Sequence, residues 1–294
     1  MRGLGIPGAG PADAVAMAFA NTLVQNDLYN AAIEVTQGGF ECIFDRSVAI
    51  GLSGGAGRVA LNGKSVGRDR TIIVHEEDHL VIDPLTDGMR TYLAVHSGFA
   101  LPQVFGSEST YLPSSFGGLD GRALEAEDRL LSRSDHNSLP IVQTPEDLID
   151  PYDSTIILRV TPSVEWEALT SEGKRALFGL SFRVASQIDR MGIRLKGDRM
   201  EMTPGTGNMQ SSAVFPGTVQ CPEGGRPIIL GPDAQTTGGY PRIASVIACD
   251  LPRLGQLRPG TKIQFVHRSI DQAAADNSGW VRRLGTWIEA DRLV

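Results

Sequence analysis

The 294-residue sequence predicts a mostly β protein with a few short helices. Glycine and proline are frequent, with 34 and 17 residues, whereas aromatic residues make up only 6% of the chain. Short segments rich in Val, Ile, Leu and Thr alternate with turn residues, which is typical of strands joined by tight turns. The length allows two domains or one large β domain.

The first half predicts one helix followed by a series of strands. The helix is predicted at residues 11–26, because Val15, Phe19 and Leu23 recur on one face with the helical period. Asn62-Gly63 indicates a hairpin turn, since both residues tolerate a positive φ. The predicted strands are 31–36, 40–44, 47–52, 58–61, 71–74, 79–82 and 91–96.

The second half predicts a further β lobe after a connecting segment. Residues 132–154 lack periodicity and are rich in Ser, Asp, Asn and Pro, which indicates a linker. Beyond it we predict a strand at 156–160, helices at 163–169 and 171–178 with Ser171 as N-cap, a helical turn capped by Asp250 and a docked or fraying C-terminal helix. The predicted domains are an N-terminal β lobe at 1–134, a linker at 135–154, a C-terminal β-barrel lobe at 155–268 and a helical or flexible tail at 269–294.

Composition and charge argue against several classes of protein. The net charge of −7 argues against a nucleic-acid partner, which would need a basic face. No apolar run approaches the length of a membrane span, and the N-terminus has no signal-peptide core. Cys42, Cys221 and Cys249 are dispersed, which favours buried or semi-buried thiols in a reducing compartment over a metal site. We therefore expect a cytoplasmic protein with no membrane contact and no bound metal.

Three apparent catalytic motifs lack the structural context that their chemistry needs. Residues 75–79 match the zinc-protease pattern H-E-x-x-H, but β-type sequence on both sides predicts an acidic turn instead of the required helix. Residues 51–55 match the G-x-S-x-G nucleophile elbow, but no helix is predicted after them, so a glycine-rich turn is expected around Ser53. Residues 57–65 nearly spell a phosphate-binding loop, but their spacing differs and no helix start follows.

A polar loop in the second half is the strongest candidate for a binding site. Residues 235–242 carry an amide, two hydroxyls, a phenol and a guanidinium between two short apolar runs. Gly238-Gly239 allows a sharp turn or a close approach to a ligand. The loop suits a planar ligand with a carboxylate or an amide, and the alternative is a loop that only satisfies its own backbone.

This loop and several other segments resemble the allophanate hydrolase subunit 2 family, also called the biotin-dependent carboxyltransferase subunit family. The resemblance covers about residues 3 to 266 and rests on short collinear motifs, namely residues 5–13, 20–24, 33–39, 92–95, 106–112, 117–122, 189–195 and 217–253. The family includes the C-type subunit of the prokaryotic 5-oxoprolinase, the matching part of urea carboxylase and a partner of a sporulation-kinase inhibitor. The resemblance implies two lobes with a cyclophilin-like β-barrel architecture.

The resemblance also implies a role within a multi-subunit enzyme. It favours the C-type subunit of an ATP-dependent 5-oxoprolinase, which converts 5-oxoproline to glutamate with partner subunits. The alternatives are a biotin-dependent urea or amide carboxyltransferase subunit and a non-enzymatic partner of a kinase-inhibitor protein. A subunit-1-type homologue is the expected partner, in a hetero-oligomer that is expected to be a heterotetramer. ATP or carboxybiotin would act through the complex, and we expect no cofactor bound by this chain alone.

Under this resemblance the polar loop takes the catalytic and binding roles. The predicted catalytic residues are Gln235, Thr237 and Tyr240, and the predicted substrate-binding residues are Arg190, Arg242, Thr236, Gly238 and Gly239. Guanidinium groups bind carboxylates through two hydrogen bonds, so Arg190 and Arg242 suit the carboxylate of 5-oxoproline or carboxybiotin. The alternative is a structural ion pair between Asp189 and a nearby arginine, which we favour for Arg194.

For two acidic residues of the first half, the sequence predicts a position in the fold but no defined chemical role. Asp13 precedes the apolar helix face and is expected to cap the helix. Glu34 points away from Ile33 and Val35 if it lies in a strand, toward solvent or a cleft.

In the family that the sequence resembles, relatives carry a further strand and a Gly-Arg turn before the equivalent of Gly3. We therefore expect that this strand is dispensable or that the start of this sequence is shortened.

Overall fold

The computed structural model describes residues 2–133 and 139–293, and the chain divides into two compact units. Residues 13–152 and 282–293 form the two-sheet unit, and residues 2–12 and 153–281 form the barrel unit. The sequence-based domain boundaries remain a prediction, and this division differs from them at both ends of the chain. The N-terminal segment lies with the barrel unit, where its Gly10 carbonyl accepts a hydrogen bond from Arg190 Nη2 at 2.6 Å.

The two-sheet unit contains the predicted helix and strands of the first half. Helix α1 (Ala14–Thr22) is shorter than predicted, because Asp13 caps it by accepting a hydrogen bond from the Ala16 N–H at 3.0 Å. This capping role confirms the expectation for Asp13. The strands are β1 (Ile33–Thr36), β2 (Phe40–Ile43), β3 (Val48–Ala56), β4 (Val59–Leu61), β5 (Lys64–Ser65), β6 (Thr71–Val74), β7 (His79–Ile82) and β8 (Asp87–Val95).

These strands form two antiparallel four-stranded sheets, with the orders β1-β8-β3-β6 and β2-β7-β4-β5. Strand β3 is buried on both faces, because α1 covers one face and an apolar core that includes Ile50 and Leu52 covers the other. A Cβ atom at Gly51 would lie 2.2 Å from the Ala20 carbonyl oxygen of α1. Glycine at this position therefore lets the helix pack directly on the strand.

The prediction of a glycine-rich turn around Ser53 is wrong. Strand β3 continues through residues 51–55, with an irregular register between Gly54 and Ala56. The glycines there permit close packing inside a strand, and the next element is strand β4, not the helix that a nucleophile elbow requires. The G-x-S-x-G pattern is thus explained by packing.

The predicted hairpin turn at Asn62-Gly63 is confirmed. The two residues have φ values of 51° and 76° and connect β4 with β5. Residues 57–65 therefore adopt a strand–turn–strand geometry, which does not fit the loop-to-helix cradle of a nucleotide phosphate.

The predicted acidic turn at residues 75–79 is also confirmed, since it joins β6 to β7. The Asp78 carboxylate accepts a hydrogen bond from the His75 N–H at 2.7 Å, and the His79 ring lies 3.1 Å from the Glu41 carboxylate. The two imidazoles are therefore not on one helical turn, as the zinc-protease pattern requires.

Residues 139–152 of the predicted linker pack within the two-sheet unit, residues 153 and 154 belong to the barrel unit, and residues 134–138 lie outside the described residues. Arg70 and Gln143 form an isolated antiparallel bridge. The Thr144 N–H donates a hydrogen bond to the Asp69 carbonyl at 2.8 Å, and Leu148 is buried. Residues 139–152 are thus a packed segment.

The barrel unit is built mainly from strands. Its elements are β9 (Thr155–Pro162), α2 (Ser171–Gly179), β10 (Phe182–Ile188), β11 (Gly192–Lys196), β12 (Ser212–Ala213), β13 (Thr218–Gln220), β14 (Ile228–Leu230), β15 (Thr237–Gly238), β16 (Arg242–Val246), β17 (Lys262–His267) and α3 (Ile270–Leu284) as far as residue 281. Seven strands close into a barrel in the order β10-β11-β14-β13-β16-β9-β17. Its core is apolar and includes Leu158, Phe182 and Phe265. The predicted mostly β fold with a β-barrel is therefore confirmed.

The helix predictions in this unit need three corrections. Thr170, not Ser171, caps α2, because its hydroxyl accepts a hydrogen bond from the Gly173 N–H at 3.1 Å. The predicted helix at 163–169 is reduced to a 3-10 turn at Trp166–Ala168. Asp250 lies inside a 3-10 segment and does not cap it, since its carboxylate binds the Arg159 guanidinium at 2.6 Å.

The three cysteines are free thiols, as predicted. Cys221 and Cys249 are buried and Cys42 is half-buried. Burial raises the pKa of Cys221 to about 12 and that of Cys42 to about 11, so these thiols remain protonated at neutral pH.

In the described part of the chain, no helix has both the length and the apolar character needed to cross a bilayer.

We expect Gly51→Ala to destabilise the two-sheet unit. The added methyl group would overlap the backbone of α1, and overpacking of this kind costs about 1–3 kcal/mol. Gly8→Ala is the matched control, because a Cβ atom at Gly8 meets nothing within 4 Å. Urea unfolding followed by circular dichroism measures both variants. Equal unfolding midpoints would contradict the close approach of α1 to β3.

Candidate functional site

The predicted polar loop lies on the outer face of the barrel. Strands β14 and β16 both pair antiparallel with β13, so the chain between them, residues 231–241, crosses over β13. We call these residues the crossover arm. On β13, Val219 belongs to the barrel core, and alternation directs Thr218 and Gln220 outward. Both are nevertheless buried, because the crossover arm covers this face.

A second segment, which the sequence analysis missed, runs beside the crossover arm. Strand β12 pairs with β15 of the arm. The Met209 N–H donates a hydrogen bond to the Gly239 carbonyl at 2.8 Å, and the Val214 N–H donates one to the Thr236 carbonyl at 3.0 Å. We call residues 209–214 the lining segment. The backbone of the predicted loop is thus held by a neighbouring strand-like segment.

Arg242 anchors both segments through an ion pair with Glu165. Its Nε and Nη2 atoms donate to the two carboxylate oxygens of Glu165 at 2.7 and 2.6 Å. Its Nη1 atom donates to the Ala213 carbonyl of the lining segment at 2.7 Å. The Arg242 and Glu165 side chains are only 15% and 20% exposed. The fork that was predicted to bind a substrate carboxylate is therefore engaged by a carboxylate of the same chain.

This pairing keeps both groups charged over a wide pH range. Hydrogen bonds from Arg242 lower the pKa of the Glu165 carboxyl, and Glu165 raises the pKa of the Arg242 guanidinium. For a carboxyl whose pKa is lowered by folding, the stabilisation is fully present above the unfolded-state pKa, here about 4.5. This stabilisation is lost as the pH falls through the lowered pKa of Glu165 in the folded state.

Arg190 anchors the start of the crossover arm. Its Nε and Nη2 atoms donate to the two oxygens of the buried Asp233 carboxylate, both at 2.8 Å. Asp189, the expected partner of an arginine, accepts hydrogen bonds from the Met191 and Gly192 N–H groups instead. A structural arginine pair is thus present, but its acid is Asp233.

Arg194, for which the pair with Asp189 was favoured, is exposed on strand β11. Its neighbours Ile193 and Leu195 point into the barrel core, so alternation directs the Arg194 side chain outward. The expected structural pairing of Arg194 with Asp189 is therefore wrong, because Asp189 caps its own turn.

The polar side chains of the crossover arm remain on its open side. Gln235 and Thr237 are exposed, Tyr240 is 40% exposed and Thr236 is half-buried. Within the described residues, the Tyr240 hydroxyl has no hydrogen-bond partner. These groups offer an amide, two hydroxyls and a phenol to a small polar ligand.

Gly238 and Gly239 are required by packing within the barrel unit. A Cβ atom at Gly238 would lie 2.7 Å from Gln220 Nε2, and one at Gly239 would lie 3.0 Å from the Met209 carbonyl oxygen. The two glycines therefore let the crossover arm lie against β13 and the lining segment. A close approach of a ligand to these glycines stays a prediction.

A second polar cluster lies in the two-sheet unit, where α1 begins. Tyr92 on β8 is opposite both Glu34 on β1 and Ser53 on β3, so the three residues form a row across the sheet. The Tyr92 hydroxyl donates to Glu34 at 2.7 Å and accepts the Asp13 N–H at 2.8 Å. The Ser53 hydroxyl donates to Asp69 at 2.6 Å. The cluster joins the start of the helix to three strands.

The polar groups of this row bind one another. Glu34, expected to face solvent or a cleft, is 16% exposed and also accepts a hydrogen bond from Arg90 Nε at 3.1 Å. Burial raises the pKa of the Asp69 carboxyl and that of the Tyr92 phenol. Ser53, the serine of the G-x-S-x-G pattern, is 2% exposed and bound to an acid. These contacts support a structural role for the row.

Sequence reasoning missed the residues that hold the crossover arm, namely Glu165, Asp233 and Gln220. Glu165 lies 77 positions before Arg242 and Asp233 lies 43 positions after Arg190, so no local spacing links either pair. For Gln220, the sequence offered one signal that could have been used: it is a polar residue at the end of the short strand β13.

Within the described ranges, no group of three or more His, Cys, Asp or Glu side chains could hold a metal ion.

We expect Arg242→Lys to loosen the crossover arm without unfolding the barrel. An ammonium group cannot reproduce the two-pronged contact with Glu165 together with the bond to the Ala213 carbonyl. Hydrogen exchange at the Met209 and Val214 amides should then accelerate about tenfold or more, as expected for the loss of a charge-assisted hydrogen bond. Arg194→Lys is the matched control, and unchanged exchange in both variants would contradict the anchoring role.

Comparisons with known proteins agree with this fold. The family described as the carboxyltransferase domain, subdomain A and B, matches residues 4–267. The chain is similar to the C-type 5-oxoprolinase subunits of Haemophilus influenzae and Escherichia coli, at 36% and 34% identity over 93% and 92% of this chain and 87% and 86% of theirs. It is also similar to the crystal structure of the Kluyveromyces lactis urea carboxylase, with 26% identity and a TM-score of 0.89 over 97% of this chain but only 27% of that chain. The predicted resemblance is confirmed, and the chain belongs to the carboxyltransferase domain family, subdomains A and B.

Proposed function

We propose that this chain is a subunit of an ATP-dependent 5-oxoprolinase that converts 5-oxoproline to glutamate together with partner subunits. The observation that carries the proposal is the similarity to two C-type 5-oxoprolinase subunits, because it extends over nearly the whole of both chains. A motif match alone would not carry function, since one fold hosts many activities.

The chemistry of this reaction suits the open side of the crossover arm. Water cleaves the lactam C–N bond, the ring nitrogen becomes the amino group of glutamate, and hydrolysis of ATP to ADP and phosphate drives the reaction. The substrate presents an N–H donor, a carbonyl acceptor and a carboxylate. Gln235, Thr237 and Tyr240 supply both donors and acceptors for such groups. We therefore keep these three residues as the proposed catalytic residues, with Thr236, Gly238 and Gly239 beside them.

In this proposal, the main role of the two arginines is not to bind the substrate carboxylate. Both guanidinium groups already bind buried or half-buried carboxylates of the chain, Asp233 and Glu165. A substrate carboxylate would have to share a guanidinium with that acid. We propose that Arg190 and Arg242 act on the substrate chiefly by fixing the crossover arm, so that its side chains meet the substrate in one arrangement.

The nucleotide would be bound through the complex. The hairpin at residues 57–65 does not fit a phosphate-binding loop, so we assign it no role toward ATP. We propose a hetero-oligomer with a subunit-1-type homologue, arranged as a heterotetramer in the cytoplasm, in which the partner subunits contribute the ATP site.

A second candidate is a subunit of a biotin-dependent carboxyltransferase that acts on urea or a similar amide. It is favoured by the structural similarity to urea carboxylase, which has a TM-score of 0.89 over 97% of this chain. The chain spans 27% of that protein, so any such activity would require the remaining domains as partners. Carboxybiotin would then replace ATP as the group delivered through the complex.

The proposal is tested with the complex assembled by co-expression of this chain and its 5-oxoprolinase partner subunits. We expect ATP-dependent release of glutamate from 5-oxoproline by the complex, and none by the isolated chain. Bicarbonate-dependent turnover of urea that avidin inhibits would support the carboxyltransferase instead. Tight binding to the partner without turnover of either substrate would contradict both enzymatic functions.

A further inference from the structure

The outer face of the barrel carries positively charged side chains that lie opposite one another across neighbouring strands. Arg183 on β10 pairs with Lys196 on β11 on one side and with Lys262 on β17 on the other. Each of the three has a sequence neighbour in the barrel core, so alternation directs the charged side chains outward. All three residues are exposed.

Two further cations extend this arrangement. Arg194 lies two residues before Lys196 and therefore on the same face of β11. The Leu195 N–H donates a hydrogen bond to the Pro227 carbonyl at 3.0 Å, so the register of β11 with β14 continues and places Arg226 opposite Lys196. Arg194 and Arg226 are also exposed. We use the name basic row for Lys262, Arg183, Lys196, Arg226 and Arg194.

The barrel supplies no acid to balance the basic row. None of the seven barrel strands, which all lie within the described residues, contains Asp or Glu. The two other arginines of these strands, Arg159 and Arg242, bind Asp250 and Glu165. In contrast, no member of the basic row forms an ion pair with any residue that the structure describes. Like charges directly opposite each other in a sheet are destabilising, so acidic groups from outside the chain would relieve this repulsion.

The spacing of the basic row fits acidic side chains on a helix. Neighbouring strands are about 4.8 Å apart, so the row runs about 14 Å across four strands. Side chains three or four positions apart on a helix have a similar separation of about 5–6 Å. We propose that the basic row is the docking surface for an acidic helix on the partner subunit of the enzyme complex. This inference rests on the proposed hetero-oligomer.

Other occupants match this surface less well. The outer face of a closed barrel is convex, whereas sites for nucleotides and other small ligands are concave. Single-stranded nucleic acid stacks on exposed aromatic rings, but the two Phe residues of these four strands, Phe182 and Phe265, lie in the core. A contact between the basic row of one copy and an acidic face of the next is heterologous and leads to rings or open filaments. A different acidic chain forms a closed complex without this constraint.

The experiment measures the affinity of this chain for its purified 5-oxoprolinase partner subunit by isothermal titration calorimetry. Lys196→Glu and Arg183→Glu each reverse one charge of the basic row, and both positions are exposed, so the barrel core is left intact. We expect either variant to bind the partner at least about tenfold more weakly than the wild type. The wild-type affinity should also fall between about 0.01 M and about 0.15 M salt, because the Debye length shortens from about 30 Å to about 8 Å.

Lys64→Glu is the matched control, because it makes the same change in net charge at an exposed lysine on strand β5 of the two-sheet unit. It should bind the partner as tightly as the wild type does. Equal losses of affinity in Lys64→Glu and Lys196→Glu would show that net charge alone matters and would overturn the assignment. Melting temperatures monitor folding of all variants.

The same measurements separate this inference from the function on which it rests. Unchanged partner affinity in both folded variants of the basic row would overturn the role of the row alone. A wild-type chain that does not bind the partner subunit would overturn the proposed hetero-oligomer, and the docking surface with it.

Two further measurements test the other occupants. Self-association of the isolated chain that Lys196→Glu abolishes, measured by analytical ultracentrifugation, would assign the row to a second copy. Binding of duplex DNA that Lys196→Glu abolishes, with partner affinity unchanged, would assign it to nucleic acid. Either result would overturn the assignment to an acidic partner subunit.

Discussion

The ion pair between Glu165 and Arg242 is the interaction on which the candidate site depends. It joins the segment before a 3-10 turn to the first residue of β16, and through the Ala213 carbonyl it also holds the lining segment. The pair is largely buried, so its two-pronged geometry matters more than that of an exposed pair would. Because Arg190 and Asp233 fix the other end, the crossover arm is held at both ends and its polar side chains face outward.

The elements of the fold could largely be predicted from the sequence, because their signals are local. The hairpin at Asn62-Gly63 and the capping of α1 by Asp13 each follow from the preferences of one or two residues. The G-x-S-x-G segment was misread as a turn because a glycine in a strand and a glycine in a turn look alike in sequence. The helix that packs on Gly51 is what decides between them, and it comes from another part of the chain.

The candidate site could be predicted only in part, since its supports are not local. The residue types at 235–242 identified a polar loop, and its exposed side chains are Gln235, Thr237 and Tyr240. The roles of the arginines depend on acids 77 and 43 positions away, which no spacing rule connects to them. For Gln220, the short strand carries too few residues to reveal which side chains face outward. Burial under a crossover arm becomes visible only once the barrel has closed.

The Glu165–Arg242 pair holds the crossover arm on the barrel, and a double-mutant cycle measures the strength of this contact. The free energies of unfolding of the wild type, Glu165→Gln, Arg242→Gln and the double variant give the coupling between the two side chains. For a largely buried pair with two hydrogen bonds, we expect a favourable coupling of about 1–3 kcal/mol. A coupling near zero would contradict it.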